Sequence, residues 1–257
     1  MLDLIGADIY KMMKSSFIRI VFVLSAISAG FMLLFAQRIA SGDMDIRSTG
    51  IPSFFADSQI FTLLGCVLIG VFLCNDFDYK IIENAISSGH SRQEIVLSKM
   101  ITLIILISIL SIPYILMILY SVIFHPTIAV FMPTAFLTIL GIATNGSSMF
   151  DILLLLILTI LIYAAQLSVG IYVMFLVKKP VIVIAVSYVI LLFLGPVLSL
   201  NNLTKDIMTY SPYGINVTQI MTNLNIYNMV MSIIICLVYI AVFTFLSILS
   251  FRKCDIK

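Results

Sequence analysis

The chain has 257 residues, of which 62% are hydrophobic and only 10% are charged, with 14 Lys and Arg against 12 Asp and Glu. A soluble domain usually carries about 25% charged residues, so this composition excludes a soluble globular protein and predicts a polytopic membrane protein. We expect no nucleic-acid partner.

The N-terminal segment, 1–16, has the pattern of an amphipathic helix. Its apolar residues recur at spacings of three and four and are Leu2, Ile5, Ile9 and Met12. Its polar residues, which are expected to face water, are Asp8, Lys11 and Lys14. This pattern predicts a helix that lies in the membrane interface; the alternative is a frayed terminus.

Six apolar runs have about the length that crosses a bilayer as a helix, which is roughly 20 residues. The predicted spans are 17–36, 59–74, 100–124, 152–177, 181–200 and 228–251. The second is short unless it extends back toward Phe54, and Pro113 and Gly195-Pro196 are expected to kink the third and fifth. The predicted fold is therefore all-α, with six transmembrane helices.

The basic residues are distributed unevenly between the segments that connect the spans. With the N-terminus in the cytoplasm, 11 Lys and Arg lie inside and three lie outside, which together make the 14 in the chain. The three outside are Arg38, Arg47 and Lys205. The positive-inside rule therefore predicts that both termini are cytoplasmic, and we expect a bacterial plasma membrane.

The predicted external segment, 125–151, contains an apolar stretch, 128–143, that is too short to span. An interfacial or re-entrant piece is expected there. The glycines Gly141 and Gly146 have the spacing of a P-loop, but the phosphate-binding lysine is missing. We therefore expect no ATP site in this chain. We also expect no other bound cofactor and no metal site.

The predicted spans contain few ionisable residues. No charged residue occurs in the 45 positions between Asp206 and Arg252, and His125 is the only ionisable candidate of interest between Lys99 and Asp151. Carriers driven by ion gradients usually keep charged residues near the bilayer midplane. A secondary carrier is therefore less favoured than a protein powered by a partner.

The segment 75–99 between the second and third spans contains seven charged residues among its 25. Its first part is predicted to be an amphipathic helix of about three turns. The apolar face comprises Phe77, Ile81 and Ala85, with Ile82 and Ile86 beside them, and the polar face comprises Asp76, Lys80, Glu83 and Ser87.

Gly89 is placed to end this helix, and Ser91 with Glu94 forms a capping box that begins the next. The result is a helix, a tight tip at 88–92 and a helix that continues into the third span. Such a tip can transmit a push from a soluble partner; the alternative is a solvated connection.

This segment resembles the signature loop of ABC-2 type permeases, the membrane subunits of ABC exporters. The matching residues are Asn75-Asp76-Phe77, Lys80, Asn84, Ser87, Gly89, Ser91-Arg92 and Ser98-Lys99. The layout of the whole chain is also similar. The resemblance implies a dimer of permeases, identical or paired with a second permease, bound to ATPase subunits that hold Mg-ATP.

The resemblance further implies that the loop docks on the ATPase. The implied coupling residues are Glu83, Asn84, Ser88, Gly89, His90, Ser91 and Arg92. Arg92 would pair with an acidic group of the ATPase, or act locally near the helix start. The short chain is most similar to the subgroup that exports amphipathic peptides or confers immunity to antimicrobial peptides.

Ala26 and Gly30 form a small-xxx-small pattern on the first span. This pattern allows close approach of another helix, either across a dimer or within the chain.

The sequence therefore predicts a non-catalytic permease that exports amphipathic or hydrophobic peptides, or antimicrobial compounds, with energy from a separate ATPase. The alternatives are an ATPase-independent membrane sensor or scaffold and, ranked third, a secondary transporter.

Overall fold

The computed structural model describes residues 1–43, 56–124, 128, 130, 134–144, 148–198, 211–213 and 226–253. Helices account for nearly all of this part, and no strand occurs in it. The helices are α1 (Leu2–Lys14), α2 (Ser16–Ala40), α3 (Asp57–Asp78), α4 (Ile81–Ser87), α5 (Arg92–Phe124), α6 (Ala135–Thr144), α7 (Met149–Val177), α8 (Pro180–Leu198) and α9 (Ile226–Lys253). The predicted all-α architecture is confirmed for these residues.

Five of the helices in the described ranges are long and apolar enough to cross a membrane, namely α2, α3, α5, α7 and α9. The helix α8 has 19 residues and covers most of the predicted span 181–200, so a sixth span remains a prediction. The sidedness of the termini also remains a prediction, and Arg47 and Lys205 lie outside the described residues.

Two spans are longer than their apolar runs. The helix α3 has 22 residues rather than the 16 of the predicted run 59–74, and its stretch Leu68–Cys74 is a π-helix. The helix α5 has 33 residues and continues through Pro113. At 1.5 Å per residue it measures about 50 Å, against about 30 Å for a hydrocarbon core, so its ends extend beyond the apolar layer.

The helix α7 lies at the centre of the bundle and packs against α3, α5, α6, α8 and α9. Two glycines of α3 permit close packing there. A side chain at Gly65 would overlap Leu167 of α7, and one at Gly70 would overlap Ile184 of α8 and the Pro180 carbonyl. Glycine at these positions therefore sets how near α3 comes to its neighbours.

The short helix α6 is buried between α3, α5 and α7. Its side chains Phe136, Leu137, Ile139 and Leu140 have no exposed surface. Ten residues of helix reach only about 15 Å, so α6 cannot span a bilayer. Its burial favours the re-entrant alternative over the interfacial one.

The outward faces of α2 and α9 are apolar and exposed, as expected for surfaces that contact lipid or another membrane helix. Ala26 and Gly30 lie on this outward face of α2, whereas Ser25, Ser28 and Ala29 face the bundle. Among the described residues, no atom outside the adjoining backbone of α2 and the two neighbours of Gly30 comes within 4 Å of a side chain built at Gly30. The small-residue pair therefore does not serve packing between the described helices.

Candidate functional site

The segment 75–99 folds as a helix–turn–helix, but its first helix is not the predicted three-turn one. The last turn of α3, Asn75–Asp78, ends because Lys80 adopts a left-handed backbone with φ of 56°. The helix α4 then begins at Ile81. The break changes the helix phase, so that Ile81 is 42% exposed and Ile82 is buried. The predicted continuous apolar face is therefore wrong.

The tip of the loop is closed by two local motifs, both of which the sequence predicts. Gly89 has φ of 93°, its N–H donates to the Ile86 carbonyl at 3.0 Å, and the His90 N–H donates to the Ala85 carbonyl at 3.1 Å. This pair of hydrogen bonds is a Schellman motif, which ends α4.

The capping box follows directly after it. The Ser91 N–H donates to the Glu94 carboxylate at 2.9 Å, and the Glu94 N–H donates to Ser91 Oγ at 3.3 Å. These reciprocal bonds satisfy amides at the start of α5 that lack a helical partner. The tip is therefore held by hydrogen bonds on both sides.

Most of the predicted coupling residues lie on the surface. Asn84, Ser88, Gly89 and Ser91 are exposed, while Glu83, His90 and Arg92 are partly exposed. The His90 Nδ1 lies 3.8 Å from the Glu94 carboxylate. The structure thus presents a small polar surface around the tip.

Arg92 turns away from the tip and toward the end of α9. Its Nη1 donates to the carbonyl oxygens of Phe251 at 2.8 Å and Arg252 at 3.0 Å, and its guanidinium carbon lies 5.5 Å from the Phe251 ring centre. The last carbonyl groups of a helix have no partner within the helix and carry partial negative charge, so a cation interacts favourably with them. A role in pairing with an ATPase remains a prediction, and this contact was not visible in the sequence.

Four charged residues meet at the base of the loop, where its two ends come together. We call them the ion cluster: Asp8, Lys11, Asp76 and Lys99. Lys99 Nζ donates to both carboxylate oxygens of Asp8, at 2.8 and 2.9 Å, and to Asp76 Oδ2 at 2.5 Å. Lys11 Nζ donates to Asp76 Oδ1 at 2.5 Å and to the Phe72 carbonyl at 2.8 Å. Asp8, Asp76 and Lys99 are at most 6% exposed.

The ion cluster corrects two predictions. Asp8 and Lys11 were expected to face water on α1, and Asp76 on the loop helix, yet Asp8 and Asp76 are buried and Lys11 is bonded to Asp76. The physical reason is that two lysines and two aspartates neutralise one another, and the Thr102 hydroxyl adds a bond to Asp8 at 3.0 Å. Buried charges are retained when they are paired in this way.

The ion cluster and its surroundings join the loop to several helices. Asp8 and Lys11 belong to α1, Asp76 to α3 and Lys99 to α5. Phe77, which follows Asp76, packs edge-to-face against Phe175 of α7 and Phe251 of α9. The distances between ring centres are 5.8 Å and 6.4 Å. The base of the loop is therefore in contact with α1, α5, α7 and α9.

A separate buried acidic side chain, which the sequence analysis missed, is that of Asp57 at the start of α3. It has no exposed surface. Its Oδ2 accepts hydrogen bonds from the Phe136 N–H at 2.8 Å and the Tyr163 hydroxyl at 3.2 Å. A carboxylate that accepts an N–H of the first turn of α6 acts as an N-cap supplied by another helix. We call Asp57 and these two donors the Asp57 site.

A cluster of four aromatic rings, in stacked and tilted contacts, adjoins the Asp57 site. The ring centre of Phe61 lies 4.3 Å from that of Tyr163 and 5.4 Å from that of Tyr114. The ring centres of Tyr114 and Phe136 are 4.9 Å apart. The hydroxyl groups of Tyr114 and Ser28 are 2.8 Å apart. These contacts fix α6 between α3, α5 and α7. The signal for this site was the position of Asp57 at the edge of an apolar run that extends beyond 59–74.

The exposed tip, the ion cluster and the Arg92 contact lie together at one end of the bundle, where the start of α1 and the end of α9 also meet the loop. This arrangement allows a surface contact at the tip to act on several long helices. No family model and no curated protein matches the chain.

Proposed function

We propose that this chain is the membrane-spanning permease subunit of an ABC exporter of the ABC-2 type. A separate ATPase subunit would bind Mg-ATP and dock on the tip at 88–92, and the chain itself would not be catalytic. The observation that supports this proposal is the construction of the loop 75–99, in which an exposed, hydrogen-bonded tip stands on a buried ion cluster that contacts several helices.

A force on the tip has a direct path into the bundle. The helix α5 begins at Arg92, so movement of the tip shifts the first turns of α5 together with Lys99. Lys99 is bonded to α1 through Asp8 and to α3 through Asp76. The three helices are therefore expected to move together, as coupling between an ATPase and a transport path requires.

The proposed cargo is an amphipathic or hydrophobic peptide, or a similar antimicrobial compound. Apolar side chains of α2 and α9 that are exposed in this chain offer a surface for such a molecule or for a second permease, identical or different. Ala26 and Gly30, which are exposed on α2, would allow the partner's helix to approach closely.

The test begins with purification from the native host in mild detergent and identification of the proteins that co-purify. A P-loop ATPase that co-purifies is then reconstituted with the chain in vesicles, and ATP hydrolysis is measured with and without peptide. Ser88→Arg should lower the stimulated rate several-fold, because a bulky cation at the tip obstructs docking.

Ser41→Arg is the matched control. Ser41 and Ser88 are both exposed, and each donates its hydroxyl to a backbone carbonyl three residues earlier, at 3.0 and 2.9 Å. Ser41 lies at the end of α2, away from the loop, so Ser41→Arg should leave hydrolysis unchanged. An equal effect of the two variants, or a stable complex with a kinase and no ATPase, would contradict the exporter and favour the sensor or scaffold.

Asp57 supports a secondary transporter as a second candidate, because it is a buried carboxylate of the kind used by proton-coupled carriers. Transport by vesicles that contain this chain alone, driven by a pH gradient and abolished by Asp57→Asn, would establish that candidate. Transport that requires both ATP and the ATPase would exclude it.

A further inference from the structure

A groove with a volume of 540 Å³ lies between α1, α2 and α5. This is within the range of about 300 to 1,000 Å³ typical of small-molecule sites. Its walls are apolar and include Met12, Met13, Ile18, Phe22, Ile105 and Ile109. Arg19 supplies the one charged side chain among the described residues that line it. The groove is open on one side, where Met13 is 80% exposed.

Two cations without a carboxylate partner in the described part of the chain flank the bend beside this groove: Arg19 lines the groove, and Lys14 lies on the other side of the bend. Ser15 has an extended backbone that separates α1 from α2, and Lys14 and Arg19 lie on either side of that bend. Lys14 Nζ lies over the Tyr10 ring at 4.7 Å, and Arg19 donates to Ser16 Oγ at 2.8 Å. Neither has a carboxylate oxygen within 4.0 Å in the described part of the chain.

The surrounding sequence offers no acid to these two cations. No Asp or Glu occurs from residue 9 to residue 42. Lys11, the third cation of this region, differs because its ammonium group is bonded to Asp76. The positive charge of Lys14 and Arg19 is therefore available to an anion from outside the chain.

We infer that this groove binds an anionic phospholipid, with an acyl chain along the apolar walls and the headgroup phosphate on Arg19 and Lys14. The bend between an amphipathic helix and an apolar spanning helix lies where headgroups lie in a bilayer. Cations at that depth attract anionic lipids. An amphiphile of this class uses both features of the site, whereas an apolar helix from a second copy would leave the two cations unused.

The inference does not depend on the proposed exporter function, and it is tested without an ATPase. The full-length protein, purified in neutral detergent, is titrated with phosphatidylglycerol and with phosphatidylcholine of the same acyl chains, and bound lipids are counted by native mass spectrometry. One phosphatidylglycerol per chain should bind at concentrations where phosphatidylcholine does not. Glycerol phosphate, which has the headgroup charge but no acyl chain, should not bind.

Three variants separate this site from general attraction to lipid. The double substitution Lys14→Ala with Arg19→Ala should weaken phosphatidylglycerol binding by about tenfold or more. The charge-matched control, Lys178→Ala with Lys179→Ala at the turn between α7 and α8, should not. Ile105→Trp should displace the acyl chain without altering charge. Each variant is checked for folding in detergent. A folded variant keeps the elution volume and the helical circular dichroism of the wild type.

Four outcomes would overturn the inference. They are equal binding of the two lipids, equal losses in the two double variants, unchanged binding by Ile105→Trp, and a dimer without bound lipid whose interface covers the groove. The last outcome would assign the groove to a second copy of the chain.

Discussion

The ion cluster and the Asp57 site lie at opposite ends of α3 and bury ionisable side chains in different ways. In the ion cluster, two lysines and two aspartates from α1, α3 and α5 neutralise one another. At the Asp57 site, a single carboxylate receives hydrogen bonds from a backbone amide of α6 and a tyrosine hydroxyl of α7. Both sites join three helices, but only the first does so through opposite charges.

This difference determines what each site tolerates. Removal of one member of a buried ion pair leaves its partner charged in an apolar environment. A carboxylate that is bonded to neutral donors can instead be replaced by a neutral acceptor of the same shape, because the donors still find a partner. The ion cluster should therefore be sensitive to any single neutral substitution, and the Asp57 site should depend on an acceptor rather than on charge.

The largest effect is expected for Lys99→Met. Asp8 would keep only the Thr102 hydroxyl among the partners seen here, and Asp76 would keep only Lys11. Leaving a buried charge without its partner typically costs about 3–5 kcal/mol. We expect a large fall in the midpoint of thermal unfolding in detergent and poor accumulation in the membrane.

The control is a double-mutant cycle with Asp8→Asn. Lys99→Met together with Asp8→Asn removes a positive and a negative charge, so the double variant should be more stable than Lys99→Met alone. If the losses of stability in the two single variants simply add in the double variant, then Lys99 and Asp8 do not stabilise each other. The proposed difference between the ion cluster and the Asp57 site would then be wrong.

A smaller effect is expected at Asp57. Asp57→Leu leaves the Phe136 amide and the Tyr163 hydroxyl buried without an acceptor, which costs about 1–3 kcal/mol for an unsatisfied group. Asp57→Asn retains an acceptor oxygen and should cost clearly less than Asp57→Leu. Unfolding midpoints of the two variants, measured beside that of Lys99→Met, test this order.

Tyr163→Phe provides the second control at this site, because it removes one donor and leaves the carboxylate with the Phe136 amide. It should cost less than Asp57→Leu. If Asp57→Asn proves as harmful as Lys99→Met, then a neutral acceptor is not sufficient at this site, and the contrast between the two sites is wrong.

The parts of the loop that the sequence predicted are those with local causes. Gly89 and the pair Ser91 and Glu94 act within three or four residues, so their spacing alone indicates the end of one helix and the start of the next. The apolar runs likewise predicted the long helices, since length and hydropathy are properties of one segment. The exposed tip follows from these local signals.

The parts that the sequence did not predict depend on partners that are distant in the chain. Lys99 and Asp8 are 91 positions apart, and Asp57 and Tyr163 are 106 apart. The pattern of α1 placed Asp8 on a polar face correctly, but a polar face can contact water or a buried lysine. The break at Lys80 also escaped prediction, because lysine rarely adopts a left-handed backbone.

The smallest effect is expected for Arg92→Ala, which extends the comparison to a partly exposed charge. This substitution removes the hydrogen bonds to the Phe251 and Arg252 carbonyls, for a loss of about 1 kcal/mol. The end of α9 should open more often, so hydrogen exchange at its last turn should be faster. Gln93→Ala, an exposed neighbour, should leave that exchange unchanged. Equal exchange in both variants would show that Arg92 does not hold the end of α9.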